Sequence, residues 1–184
     1  MLVAYSTVAQ VGYLFLVFPL LPGAAPSRAD AASAAIMLQV AAHGLAKAAM
    51  FAAAGAVAIS AGHDVVTRLG GLAAQRPVTV FAFGLAGVTL MGLPPSAGFV
   101  AKWLLIENAL AAGRWELVVV ILAGGLLTAA YLFKVLRHAF GHAGPGVAYL
   151  PLPRTLEWPA LLLALASVML GMKPAALLEL AAAR

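Results

Sequence analysis

The strongest constraint on this chain is a succession of apolar runs, each of about the length that crosses a bilayer, separated by residues that break helices. Leu2 to Leu21 is the first, Ala31 to Ala61 the second, Val78 to Leu110 an interrupted third, Trp115 to Ala139 the fourth and Leu156 to Met172 a short fifth. With 64% hydrophobic and 9% charged residues and a mean hydropathy of +1.03, the chain falls outside the range of soluble domains. The predicted fold class is therefore an all-α integral membrane protein of about five transmembrane helices, a single transmembrane domain over residues 1–184. The net charge of +5 does not indicate nucleic acid, because the basic residues are scattered between apolar segments and read as loop charges. There is no cysteine, so disulfides and thiolate metal sites are excluded. The Met1 region has no basic leader or cleavage site, so no signal peptide is read there.

The third run is discontinuous. Val78 to Met91 and Phe99 to Leu110 flank Gly92, Pro94, Pro95 and Gly98, with Lys102 just beyond the break. An interrupted helix leaves backbone amides and carbonyls unpaired, which lipid does not tolerate unless they are buried in protein or line a wet cavity. Such helices point to ion or substrate sites in transporters, and a lysine at membrane depth points the same way. Carbonyls ending the first half-helix are available to accept hydrogen bonds from the Lys102 ammonium. Glu107 is an obvious counter-ion in composition only, since five helical positions set it about 140° around from Lys102. A polar cavity, another subunit or the interface remain its alternatives, and Trp103 reads as a packing or interface aromatic.

The other polar residues are sparse enough to be informative. In the first run, Ser6 and Gln10 share a helical face and read first as interhelical hydrogen-bonding groups, with Gly12 offering close approach. Pro19, Pro22, Gly23 and Pro26 are expected to end that helix in a loop holding Arg28 and Asp30. In the second run, Gln39, His43 and Lys47 recur every four residues, a stripe rising about 6 Å per step. A lysine one turn from a histidine is a proton-handling pair, with packing as the alternative. Residues 62–77 read as a polar connector with a solvated His63, and 141–159 as a loop with His142, Arg154 and Glu157. The fourth run contains Gly124 and Gly125, suited to close helix contact, and ends with Tyr131, Lys134, Arg137 and His138. Snorkelling of Lys134 and Arg137 is the first reading there, and a proton path emerging past Lys134 the second. The fifth run reads as scaffold, followed by Lys173, Glu179 and Arg184.

On the side where the chain starts lie Arg68, Arg76, Lys134, Arg137 and Arg154, against Arg28, Arg114, Lys173 and Arg184 opposite, which favours a cytoplasmic start. No nucleotide loop, metal-ligand spacing, nucleophile elbow or carboxylate pair appears, so no cofactor, metal or catalytic site is read.

Four stretches in order carry a resemblance: Leu2 to Tyr13 with Tyr5-Ser6-Thr7 and Gln10-Val11-Gly12; His43-Gly44-Leu45-Ala46-Lys47 with Gly55; Gly70-Gly71-Leu72; and Gly92-Leu93-Pro94-Pro95-Ser96-Ala97-Gly98-Phe99 with Lys102. Over residues 2–141 the chain resembles the antiporter-like membrane subunits shared by respiratory complex I, Mrp-type cation/proton antiporters and membrane-bound hydrogenases. The resemblance implies proton translocation, with Lys47 and Lys102 as protonatable residues and His43 between water-filled half-channels. Gln39 stands where some members have a second histidine. Members are built as two inverted repeats, and this chain resembles most of the second. It is expected to be the later part of a split, truncated or fragmentary subunit.

The implied partners are other membrane subunits, one supplying the first repeat, with protons as cargo and exchange for Na+ or K+ left open. The implied location is a bacterial-type plasma membrane, in a proton-pumping NADH:quinone oxidoreductase or hydrogenase assembly. Two other expectations stand beside this: a non-transporting structural or assembly subunit of such a complex, and a small-solute transporter, for which no polar pocket is legible.

Overall fold

The computed structural model describes residues 2–21 and 25–173, and every described regular element is helical. Helix α1 (Leu2–Gly12) tightens into a 3-10 stretch at Tyr13–Leu16 before a last turn, α2 (Val17–Leu20). Then come α3 (Pro26–Ala61), a short α4 (Leu72–Gln75), α5 (Pro77–Met91), α6 (Ala97–Ala111), α7 (Trp115–Ala139) and α8 (Arg154–Met172). Pro22, Gly23, Glu179 and Arg184 lie outside the described residues.

The centre of the fold is α3, which packs against α5, α6 and α8. Its 36 residues make a rod of about 54 Å, well beyond the roughly 30 Å hydrocarbon core. Alanine explains its position. Ala35, Ala42, Ala46, Ala49 and Ala53 form a buried stripe that meets Ala82 and Ala86 of α5, Ala97 and Ala101 of α6, and Ala160 and Ala164 of α8. Between helices in lipid there is no hydrophobic driving force, so close van der Waals packing of small residues replaces it. By contrast α7 turns Val119, Leu122, Leu126, Leu127 and Phe133 outward.

The predicted broken crossing is present. Its halves stack end to end along α3, which meets α5 through Met50 and Ala53, then α6 through Leu38 and Ala42. Gly92 closes α5 at φ +81°, a left-handed conformation that favours glycine. Ser96 opens α6 by accepting a hydrogen bond from the Phe99 amide at 3.2 Å, an N-cap. The Pro94–Pro95 peptide between them is cis. The break is tightly packed: a side chain at Gly98 of α6 would collide with the Thr89 carbonyl of α5, and one at Gly171 of α8 with the backbone of Pro95 to Ala97.

Several boundaries differ from expectation. Pro26 sits in the first turn of α3, so Arg28 and Asp30 belong to that helix rather than to a loop; proline suits a first turn because its missing amide has no partner to lose there. Arg154 and Glu157 belong to α8 for the same kind of reason, the helix starting after Pro153, and Pro159 lies inside it. The last described helix therefore carries a carboxylate, and Thr79 of α5 donates to Glu157 at 2.6 Å. Gly12 faces open space, and Gly124 instead admits the Tyr13 side chain.

The 62–77 connector contains helical turns and is laced to the 141–153 loop. Arg76 donates to Ser60 at 3.2 Å and to the Tyr149 carbonyl at 2.9 Å, and the Tyr149 hydroxyl donates to the Gly70 carbonyl at 3.0 Å. Burial raises the Tyr149 phenol above its usual pKa.

Candidate functional site

The Gln39, His43 and Lys47 stripe follows from helical periodicity: Gln39 and Lys47 are buried and His43 is half-buried. Lys47 is 6% and Lys102 5% exposed. From α3, the Lys47 ammonium donates to the Val3 carbonyl at 2.7 Å and to the Ser6 hydroxyl, both on α1. From α6, Lys102 donates across the break to the carbonyls of Leu90 at 2.7 Å and Met91 at 3.0 Å. These are the unpaired carbonyls that the end of α5 provides. The Tyr13 ring lies beneath the Lys102 ammonium, 5.1 Å from nitrogen to centroid. Neither lysine has a carboxylate partner among the described residues; the ion pair found there joins Arg114 and Glu116.

Gln10 connects the two lysine environments. Its amide donates to the Leu90 carbonyl at 3.0 Å, the same oxygen that Lys102 uses, and to Thr128 of α7 at 3.2 Å. The Gln39 amide in turn donates to the Gln10 carbonyl oxygen at 3.3 Å. Tyr131, one turn along α7, directs its hydroxyl toward Ser6 and Thr128 without a well-formed hydrogen bond to either. The His43 Nδ1 atom is likewise buried and unpaired, and His43 lies within electrostatic range of both lysines. Buried polar atoms of this kind are normally satisfied, by water if not by protein.

The site thus gathers Lys47, His43, Lys102, Gln39, Ser6 and Gln10. It leaves out two expected members. Glu107 is exposed and accepts from the Trp103 indole at 2.8 Å, on the far side of α6 from Lys102. Lys134 is exposed near the end of α7. Thr128 and the directed Tyr131 hydroxyl were missed; the available signal was a threonine one turn beyond Gly124, to whose carbonyl it donates at 2.8 Å.

A central rod, a crossing broken at its middle and two buried lysines define a polytopic α-helical membrane protein with ionisable groups at membrane depth. Residues 1–128 match the family described as NADH:quinone oxidoreductase/Mrp antiporter, TM. The chain belongs to that family, and it is an integral membrane protein.

Among curated relatives, it is 36% identical over 185 residues to NADH-quinone oxidoreductase subunit N of Desulforudis audaxviator, covering 93% of this chain and 36% of that protein. It is 39% identical over 176 residues to subunit L of Mycobacterium tuberculosis, covering 91% and 26%. Among solved structures, a chain of the Mrp complex from Dietzia sp. DQ12-45-1b superposes with a TM-score of 0.85 at 26% identity, over 97% of this chain and 40% of that one. A chain of respiratory complex I from Thermus thermophilus gives 0.67 at 27% identity, over 96% and 38%. The chain therefore spans between a quarter and two-fifths of the length of these relatives.

Proposed function

We propose that this chain carries protons through the membrane as part of a larger antiporter-like assembly, with Lys47, His43 and Lys102 as the groups that take and pass them. The observation that carries this reading is the pair of buried lysines on separate helices, each held by carbonyl or hydroxyl oxygens instead of a carboxylate. A carboxylate would hold the ammonium charge in place; neutral oxygens accept the loaded form without locking it. The Gln10, Thr128 and Tyr131 groups supply a route between them, completed by water at the buried polar atoms that lack partners.

A cavity of about 310 Å³, apolar in its lining apart from Asp64, lies between the connector and the partner of Lys47 on α1. It runs from Asp64 in the connector, past Val57 and Ala54, to Val3, whose carbonyl takes the Lys47 ammonium. The slight excess of arginine and lysine on the side where the chain starts, five against four, favours that side as the cytoplasmic face of a bacterial plasma membrane. Other subunits, one of them supplying a first repeat, complete the path, and Na+ or K+ exchange belongs to the same reading.

The test is Lys47→Ala and Lys102→Ala, each made in the assembled complex, with proton pumping measured in vesicles. Loss of pumping with assembly intact is expected; unchanged pumping in both variants sinks the proposal.

The mutual hydrogen bonding of Gln39, Gln10 and Thr128 favours one competing reading, a structural subunit whose polar groups only join helices. Its signature is failed assembly when the chain is deleted, with both lysine substitutions silent.

A further inference from the structure

Two adjoining hollows lie on the outer face of α5 and α7 and share Leu136 and Phe140. The first, of about 610 Å³, is lined by Phe81, Leu85, Val88 and Leu161 and by no charged group, and Gly84 adds no side chain to its wall. Along α5 it extends from Pro77 to Val88, a run of about 16 Å. The second, of about 730 Å³, holds Lys134 and Arg137 beside Phe133 and Phe140. Both cations are exposed, and neither side chain has an ion-pair or hydrogen-bond partner among the described residues.

We propose that this groove is a binding site for an anionic phospholipid, an acyl chain lying along α5 and the phosphate between Lys134 and Arg137. Shape and charge agree on the occupant. The apolar part has the length of an acyl chain, it ends where α7 leaves the apolar zone, and the cations stand at that end with aromatic rings at headgroup level. A zwitterionic lipid brings its own cation to the phosphate and leaves the two side chains uncompensated. An anionic one brings a net negative charge between them, with a preference of roughly fivefold for each cation.

Trp158 of α8 is exposed and stands one turn before Leu161, at the headgroup end of the groove. The chain has three tryptophans, so the full chain carrying Trp103→Phe and Trp115→Phe reports from Trp158 alone. It is reconstituted into phosphatidylcholine vesicles containing a minor fraction of lipid brominated near the carbonyl end of its acyl chains. That fraction is phosphatidylglycerol in one series and phosphatidylcholine in the other. The expected result is stronger quenching by the brominated phosphatidylglycerol, and loss of that preference in the Lys134→Gln, Arg137→Gln double variant while quenching by phosphatidylcholine persists. Equal quenching by the two lipids means a non-selective lipid shell and overturns the site. A preference that survives the double variant overturns the role of the two cations. Absence of quenching by either lipid, as when polypeptide fills the groove, overturns it as well. None of these readouts depends on proton pumping.

Discussion

Replacing Gln10 by leucine tests the connection between the lysines more sharply than replacing either lysine. The substitution removes three hydrogen bonds, from Gln10 to Leu90 and Thr128 and from Gln39 to Gln10. At about 0.6 kcal/mol for each interhelical bond in a membrane, that is about 2 kcal/mol. The Gln39 amide is then buried without a partner, which adds about 1 kcal/mol or more. Leucine fills a similar volume, so no cavity term is expected.

The Gln10→Leu variant should therefore be about 3 kcal/mol less stable in reversible detergent unfolding and should lose pumping in the assembled complex. Adding Gln39→Leu separates the two effects. The double variant has no stranded amide, so part of the stability returns, while the route between Lys47 and Lys102 stays cut and pumping stays lost. Normal pumping in an assembled Gln10→Leu complex would refute the route. Pumping that returns together with stability in the double variant would assign Gln10 to packing alone.

Three shorter predictions follow from the break and its surroundings. Gly171→Ala forces a methyl group onto the backbone of Pro95 to Ala97 and should destabilise the fold by about 1–3 kcal/mol, read as a lower midpoint in thermal unfolding. Ser96→Ala removes the side-chain cap on the Phe99 amide and should cost about 1 kcal/mol by the same measurement. Glu107→Gln, on an exposed residue bonded only to Trp103 among the described residues, should leave pumping at the parent rate; a loss there would return Glu107 to the path.

Most of the architecture was legible because lipid leaves the backbone few choices. A run of about 20 apolar residues must be helical, and the clustering of Gly92, Pro94, Pro95 and Gly98 inside one such run marked its break. The four-residue spacing of Gln39, His43 and Lys47 likewise dictated a shared face, and the carbonyls that end α5 were predictable partners for Lys102.

What could not be read was which helix each polar group would meet. Thr128 of α7 is an ordinary threonine until it is found beside Gln10 of α1, more than a hundred residues away in sequence. The tightening of the first span at Tyr13–Leu16 had no local signal either, yet it lies where the Tyr13 ring turns beneath Lys102. The starts of α3 and α8 were misjudged because proline was taken as a terminator, although both helices begin at or just after one.

Lys102 belongs to α6 but is held by the last carbonyls of α5. The joint between the half-helices is thus riveted by a side chain that can itself carry charge. Charge-assisted bonds are roughly twice as strong as neutral ones, so if Lys102 carries protons as proposed, this joint is stiff when its rivet is loaded and slack when it is empty. On that reading the crossing registers its occupancy as mechanical compliance, and α3 and α8, each packed against both half-helices, are the elements that would feel the difference.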